Sequence, residues 1–199
     1  MRRLTSICLA FLLGASQLAG AQTLADANRY YEKRDYGKAR EILEKLSMQG
    51  STEADFKLAG MYVDAVGIAR NTQRGMALYE SAARKGHTGA MFFLATELAK
   101  GGLIQPDKNR SLALFRTAAK LKHAGAQVAL CMELSSDFSK FYDGVEAYAW
   151  CQTASKKDHR LAGDAGRRAK ETLEKIRSKE GAQAVPEALA RAARYAQTY

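Results

Sequence analysis

The chain has 199 residues, 31 Lys and Arg against 21 Asp and Glu, a formal net charge of +10 and only two prolines, Pro106 and Pro186. That length suits one domain, and so little proline leaves few obligatory turns, so long helices are the natural expectation. No stretch approaches the roughly 20 apolar residues of a helical membrane span, so no membrane-spanning helix is expected.

At the amino terminus Arg2 and Arg3 precede an apolar run from Ile7 to Ala15 and the small triplet Ala19-Gly20-Ala21. This is the layout of a cleaved signal peptide, residues 1–21, with cleavage after Ala21. A periplasmic or secreted protein beginning at Gln22 is expected, and without the two leader arginines its charge is +8 on about 178 residues. Cys8 lies inside the apolar run with more leader after it, which places it badly for a lipid anchor.

Beyond the leader the chain repeats itself at an offset of 36 residues. Ala54, Ala90 and Ala126 are each followed four residues later by Leu58, Leu94 and Leu130. Asn71, Asp107 and Asp143 keep the same interval, as do Ala77, Ala113 and Ala149, and Ala82, Ala118 and Ala154. The pairs Gly86-His87, Lys122-His123 and Asp158-His159 close each copy. Five landmarks in phase over three copies define a tandem array.

Each copy predicts two helices. The first carries Ala54, Leu58, Met61 and Tyr62 on one face by their spacing of three and four. The second starts after Asn71, Asp107 or Asp143, whose short side-chain oxygens accept from unpaired N–H groups at a helix start. Asp143 and Glu146 have the spacing of a capping box. Gly86 suits the left-handed residue that ends a helix, and Lys122 and Asp158 must take the same place with a side chain. An amphipathic hairpin of this size cannot bury its own apolar face, so neighbouring hairpins must stack. The expected fold is all-α, a right-handed solenoid of stacked helical hairpins.

These residues, Ala54-x-Phe56-x-Leu58-x-x-Met61-Tyr62, then Gly67-Ile68, Asn71 and the segment from Leu78 to His87, resemble the Sel1-like repeat, a relative of the tetratricopeptide repeat. The second copy keeps Gly101, Gly102, Asp107, Ala118, Ala119 and His123, and the third keeps Ala147 to Trp150 but has no glycine in its loop, Ser135 to Tyr142. Upstream, residues 22–50 resemble a tetratricopeptide-type hairpin, with Tyr30, Tyr31, Asp35, Tyr36, Lys38 and Ala39 in order. Three repeats over residues 51–159 and capping helices over 160–199 complete the expected organisation. The resemblance implies a scaffold or adaptor for protein–protein interaction.

No catalytic constellation is present in the sequence. Zinc ligands must lie about 2 Å from one ion, whereas equivalent residues of adjacent repeats stand roughly 10 Å apart, so His87, His123 and His159 are expected to pack or hydrogen-bond at repeat junctions. No serine is followed three positions later by lysine, and there is no phosphate-binding glycine loop or nucleophile elbow. Glu97 and Glu133 sit one repeat apart and are expected on helix surfaces. The chain is therefore expected to be no enzyme and to need no metal or cofactor.

Cys131 and Cys151 survive removal of the leader, on the two helices of the third copy. An oxidising compartment permits a staple between them; two buried free thiols are the alternative. Between Lys100 and His123 six basic residues (Lys100, Lys108, Arg110, Arg116, Lys120, Lys122) meet one acidic residue, Asp107. That patch would attract an acidic protein or an anionic envelope polymer, while a secreted location argues against nucleic acid. By repeat phase, Lys57, Phe93, Lys100 and Met132 fall on the first helices away from the core, and apolar members of such a column are candidate anchors for a partner segment. The sequence thus points to a periplasmic adaptor that binds an envelope protein or peptide on its concave face. Binding of anionic polysaccharide or peptidoglycan through the basic patch is the alternative.

Overall fold

The computed structural model describes residues 22–156 and 160–199. The expected signal peptide with Cys8, and the junction residues Asp158 and His159, lie outside the described residues. All regular structure among these residues is helical, in the order α1 (Leu24–Glu32), α2 (Tyr36–Met48), α3 (Thr52–Asp64), α4 (Thr72–Arg84), α5 (Thr88–Lys100), α6 (Lys108–Lys120), α7 (Ala124–Leu134), α8 (Gly144–Ser155), α9 (Ala162–Lys175) and α10 (Ala184–Thr198). A single π-helical turn, Ile176–Glu180, follows α9. No helix among the described residues is long and apolar enough to cross a membrane. The chain divides into two compact units, residues 1–78 and 79–199, with the division inside α4.

In the first unit α1 packs on α2 and α2 on α3. Thr23 and Asp26 cap α1 reciprocally in a complete capping box, which satisfies two N–H groups that would otherwise lack partners. The face predicted for α3 is the buried one: Ala54, Leu58, Met61 and Tyr62 join Ala27, Ile42 and Leu43 in one core. Gly67 has φ +66° and a Cβ there would stand 2.1 Å from the Tyr36 Cβ, so the loop after α3 admits only glycine. Asp55, almost fully buried, accepts a hydrogen bond from Ser47 Oγ at 2.5 Å, as a buried carboxylate requires.

In the second unit α5 packs on α6, α6 on α7 and α7 on α8, and both α9 and α10 then pack on α8. Leu94, Ala95, Leu112, Phe115, Leu130, Leu134 and Trp150 are buried. One landmark series behaves differently from the others: Ala77 and Ala113 are exposed, whereas Ala149 is completely buried. Ala149 belongs to α8, the helix that receives the two carboxyl-terminal helices.

The junctions follow the 36-residue period closely. Gly86 has φ +94° and Lys122 takes the same left-handed place with φ +68°. Asn71, Asp107 and Asp143 cap α4, α6 and α8 by accepting from the backbone N–H three residues on, at 2.9, 3.0 and 2.8 Å. Asp35, 36 residues before Asn71, does the same for α2 at 3.3 Å. The capping box expected at Asp143 is only half formed. Asp143 N–H donates to Leu134 O, and Glu146 instead accepts from Arg116 and from Trp150 Nε1. A guanidinium offering two hydrogen bonds to a buried carboxylate outcompetes a single backbone amide.

The third loop, which has no glycine, is held by charge. Asp137 accepts from Lys175 at 2.8 Å and Lys179 at 2.6 Å, and these two hydrogen bonds pull its pKa down to about 2. Ser139 Oγ donates to Glu133 at 2.8 Å, and Tyr142 donates to Glu180. Burial, followed by the Glu180 charge, pushes the Tyr142 phenol up to about 12.

Two ion pairs between second helices occupy the same two repeat positions with opposite polarity. Arg110 of α6 reaches Glu80 of α4 at 2.5 Å, and Arg116 of α6 holds Glu146 of α8 at 2.9 and 2.7 Å. Glu80 and Arg116 are 36 residues apart, as are Arg110 and Glu146. At one junction the earlier member is acidic and at the next it is basic, so each junction rejects the other's charge pattern. Arg116→Ala should cost about 2 kcal/mol, the range for a hydrogen bond to a charged group reduced by its partial exposure. Exchanging both residues, Arg116→Glu with Glu146→Arg, should recover about half of that in urea melts, because the reversed pair already exists at the preceding junction.

Candidate partner-binding face

The residues that start the first helices of the repeats are themselves in phase. Ser51 Oγ accepts from Ala54 N–H at 3.3 Å. His87 and His123 cap α5 and α7 through Nδ1, which accepts from Ala90 N–H at 3.1 Å and Ala126 N–H at 3.2 Å. These are the hydrogen-bonding junction histidines expected from their spacing, and an imidazole nitrogen can accept only when unprotonated. His123 also stacks on Phe92 at 4.7 Å. Burial first, and then the charge of His87, hold its pKa below the usual 6.5. A depressed folded-state value means that the unfolded chain binds the proton more tightly. The stabilising contribution of this cap is therefore complete above about pH 6.5 and is lost as pH falls through the lower folded value. Melting temperature should decline on acidification in that window, and His123→Asn, which caps without titrating, should flatten the decline.

The four residues of the candidate column have different surroundings. Lys57 in the first unit pairs with Glu53 at 3.4 Å. In the second unit Phe93 does not stand clear of the fold. It is half-buried and stacks on Tyr79 with ring centroids 4.0 Å apart. Lys100 is exposed in the last turn of α5, where its charge suits the helix carboxyl terminus. Met132 is 52% exposed and lies on the rim of a cleft of about 260 Å³ between α7 and α9, lined also by Val128, Leu161 and Arg168.

Cys131 and Cys151 are almost completely buried, with Cα atoms 4.7 Å apart and sulfurs 2.10 Å apart, the geometry of a disulfide pair joining α7 to α8. Of the six residues of the basic patch, Lys108, Arg110 and Arg116 face carboxylates, Lys108 pairing with Glu133 at 2.8 Å. Lys100, Lys120 and Lys122 remain exposed. Glu97 and Glu133, expected as plain surface residues, organise the loops instead: Glu97 accepts from Leu103 N–H at 3.1 Å, and Glu133 takes Lys108 and Ser139. Among the described residues no group of three or more His, Cys, Asp or Glu side chains is arranged to hold a metal.

Sequence spacing did not reveal the cleft, because Leu161 and Arg168 lie outside the 36-residue register. Its α7 wall was visible in Met132. The α9 wall had only the Arg167-Arg168 doublet as a signal.

Stacked helical hairpins with polar-capped junctions define an all-α protein of the helical-repeat class. The chain belongs to the Sel1 repeat family, whose model matches residues 11–51, 52–87, 88–123 and 124–159. The fold is similar to the crystal structure of a Sel1 repeat protein from Oxalobacter formigenes (TM-score 0.64, 20% identity, 87% of this chain and 69% of that one). It is similar also to c5321, a protective antigen of uropathogenic Escherichia coli strains with an SLR fold (TM-score 0.50, 21% identity, 92% of this chain and 48% of that one). No curated protein matches the chain. Sel1 repeat proteins generally act as scaffolds for protein–protein interaction, and the family is typically non-catalytic.

Proposed function

We propose that this protein is a periplasmic adaptor that holds a segment of an envelope protein on the first helices of its repeats. The observation that carries the reading is Met132, a half-exposed apolar side chain at the rim of a cleft in a family of interaction scaffolds. Methionine adapts its shape to apolar partners at low cost. Phe93 and Lys100 in the same unit supply further contacts. The leader read at residues 1–21 supports the compartment, and an oxidising compartment suits a bonded Cys131–Cys151 pair.

Lys100, Lys120 and Lys122 favour a second reading, binding of an anionic envelope polysaccharide. Photo-crosslinking in the periplasm from a reactive residue at Met132, with one at Lys120 for comparison, separates the two. A discrete protein adduct at Met132 alone is expected. Adducts only at Lys120, or only with glycan, would overturn the adaptor reading. Binding through the lysines would weaken steeply with ionic strength, and binding over Met132 would not.

A further inference from the structure

The cleft between α7 and α9 combines an apolar floor with one guanidinium that the fold leaves without a carboxylate. Val128, Met132 and Leu161 provide the apolar surface, and two carboxylates, Asp164 and Glu171, line it together with Arg167 and Arg168. Arg167 is neutralised by Asp164 at 2.5 Å. Arg168, by contrast, makes one long hydrogen bond, 3.4 Å, to the neutral hydroxyl of Ser135. Elsewhere in this unit Arg110, Arg116, Arg177 and Arg191 meet carboxylates; Arg84, Arg160 and Arg194 also have no ion pair among the described residues, but they are exposed and none of them lines the cleft. A guanidinium has five donors in a fork suited to bidentate capture of a carboxylate, and Arg168 has almost all of that capacity unused.

We infer that this cleft takes a short segment of a partner protein in which an acidic side chain adjoins an aliphatic one, the carboxylate on Arg168 and the aliphatic group over Met132 and Leu161. The inference rests on the adaptor reading and names the chemistry of its partner. A cleft of about 260 Å³ falls just below the range of about 300–1,000 Å³ typical of small-molecule sites, so it admits one or two side chains of an extended peptide. Glu171 lies one turn beyond Arg168 on α9 and has no ion-pair partner among the described residues. It disfavours a second acidic residue at that end, which orients the segment. The net charge of +8 that remains without the two leader arginines draws acidic segments toward the protein.

Cys131 also lines the cleft, and its sulfur is placed to bond Cys151 of α8. The α7 wall is thereby tied to the helix on which α9 packs, and a wall fixed before binding spares the cost of ordering it on association.

The test uses the mature chain, immobilised and panned against phage displaying random heptapeptides, with the enriched peptide then labelled with fluorescein and titrated by polarisation. Enrichment of peptides with Asp or Glu beside Leu, Ile or Val is expected. Arg168→Gln should weaken the labelled peptide at least tenfold, Arg168→Glu should shift enrichment to Lys or Arg beside the aliphatic residue, and Glu171→Gln should tighten binding. Unchanged thermal melts of the three variants establish that the fold is kept, and a melt that shifts transfers the decision to Glu171→Gln and Met132→Ser. Enrichment unaffected by Arg168→Glu, or no enrichment, overturns the inference. A protein adduct at Met132 together with Arg168-independent binding leaves the adaptor reading standing and removes only the assignment of partner chemistry.

Discussion

Replacing Trp150 by alanine lowers the stability of the protein by about 4 kcal/mol, within the range for removing a buried aromatic side chain. Trp150 is completely inaccessible to solvent. It packs against the end of the chain, with the Tyr195 ring 4.5 Å and the Tyr199 ring 5.6 Å from its own, and its Nε1 donates to Glu146 at 3.1 Å. The substitution therefore opens a cavity, removes the surface on which the end of α10 rests, and leaves the buried carboxylate of Glu146 with one partner fewer. For a chain of about 178 residues the melting temperature should fall by roughly 8 to 16 °C. Trp150→Phe keeps much of the volume and should cost less than half as much. Differential scanning calorimetry checks both, and a loss below about 1 kcal/mol for Trp150→Ala would mean that α10 does not depend on this contact.

The second large effect is expected at the cysteines. A bond between residues 20 apart restricts the unfolded chain enough to stabilise the fold by about 3 kcal/mol. The double substitution Cys131→Ala with Cys151→Ala should therefore lower the melting temperature by roughly 6 to 12 °C. Both side chains are almost completely buried, so a reductant added to the folded protein should act only once the chain opens. Melting the natural protein in dithiothreitol should reproduce the shift, and the double variant should be indifferent to the reductant. Identical melts with and without reductant would show that the two sulfurs are thiols in the protein as produced.

The helical repeat, its 36-residue period, the core face of the first helices and the capping residues at Asn71, Asp107 and Asp143 were all legible in the sequence. They are local properties: spacing of apolar residues sets which face is buried, and a short polar side chain beside a free N–H sets where a helix begins. The likeness of Cys131 to Ala59 and Ala95, and of Cys151 to Tyr79 and Phe115, placed both sulfurs inward for the same reason, and all six side chains are buried. The left-handed conformation at Lys122 followed from its alignment with Gly86.

Only the tertiary structure decided matters that depend on competition between residues far apart in the chain. Glu146 has the spacing of a capping residue yet serves Arg116, 30 residues away, because a charged donor brought near by folding outweighs a local neutral one. Phe93 has the phase of a free surface residue yet stacks on Tyr79, since a large ring reaches neighbours that its backbone position does not indicate. Three of the six basic residues between Lys100 and His123 are drawn into ion pairs with carboxylates outside that segment, a reduction of the patch that no local count anticipates. The cleft at Met132 exists because α9, outside the repeat register, packs beside α7. Periodicity determines what each helix turns toward the core; which side chains remain unpaired at the surface is set by how the helices come together.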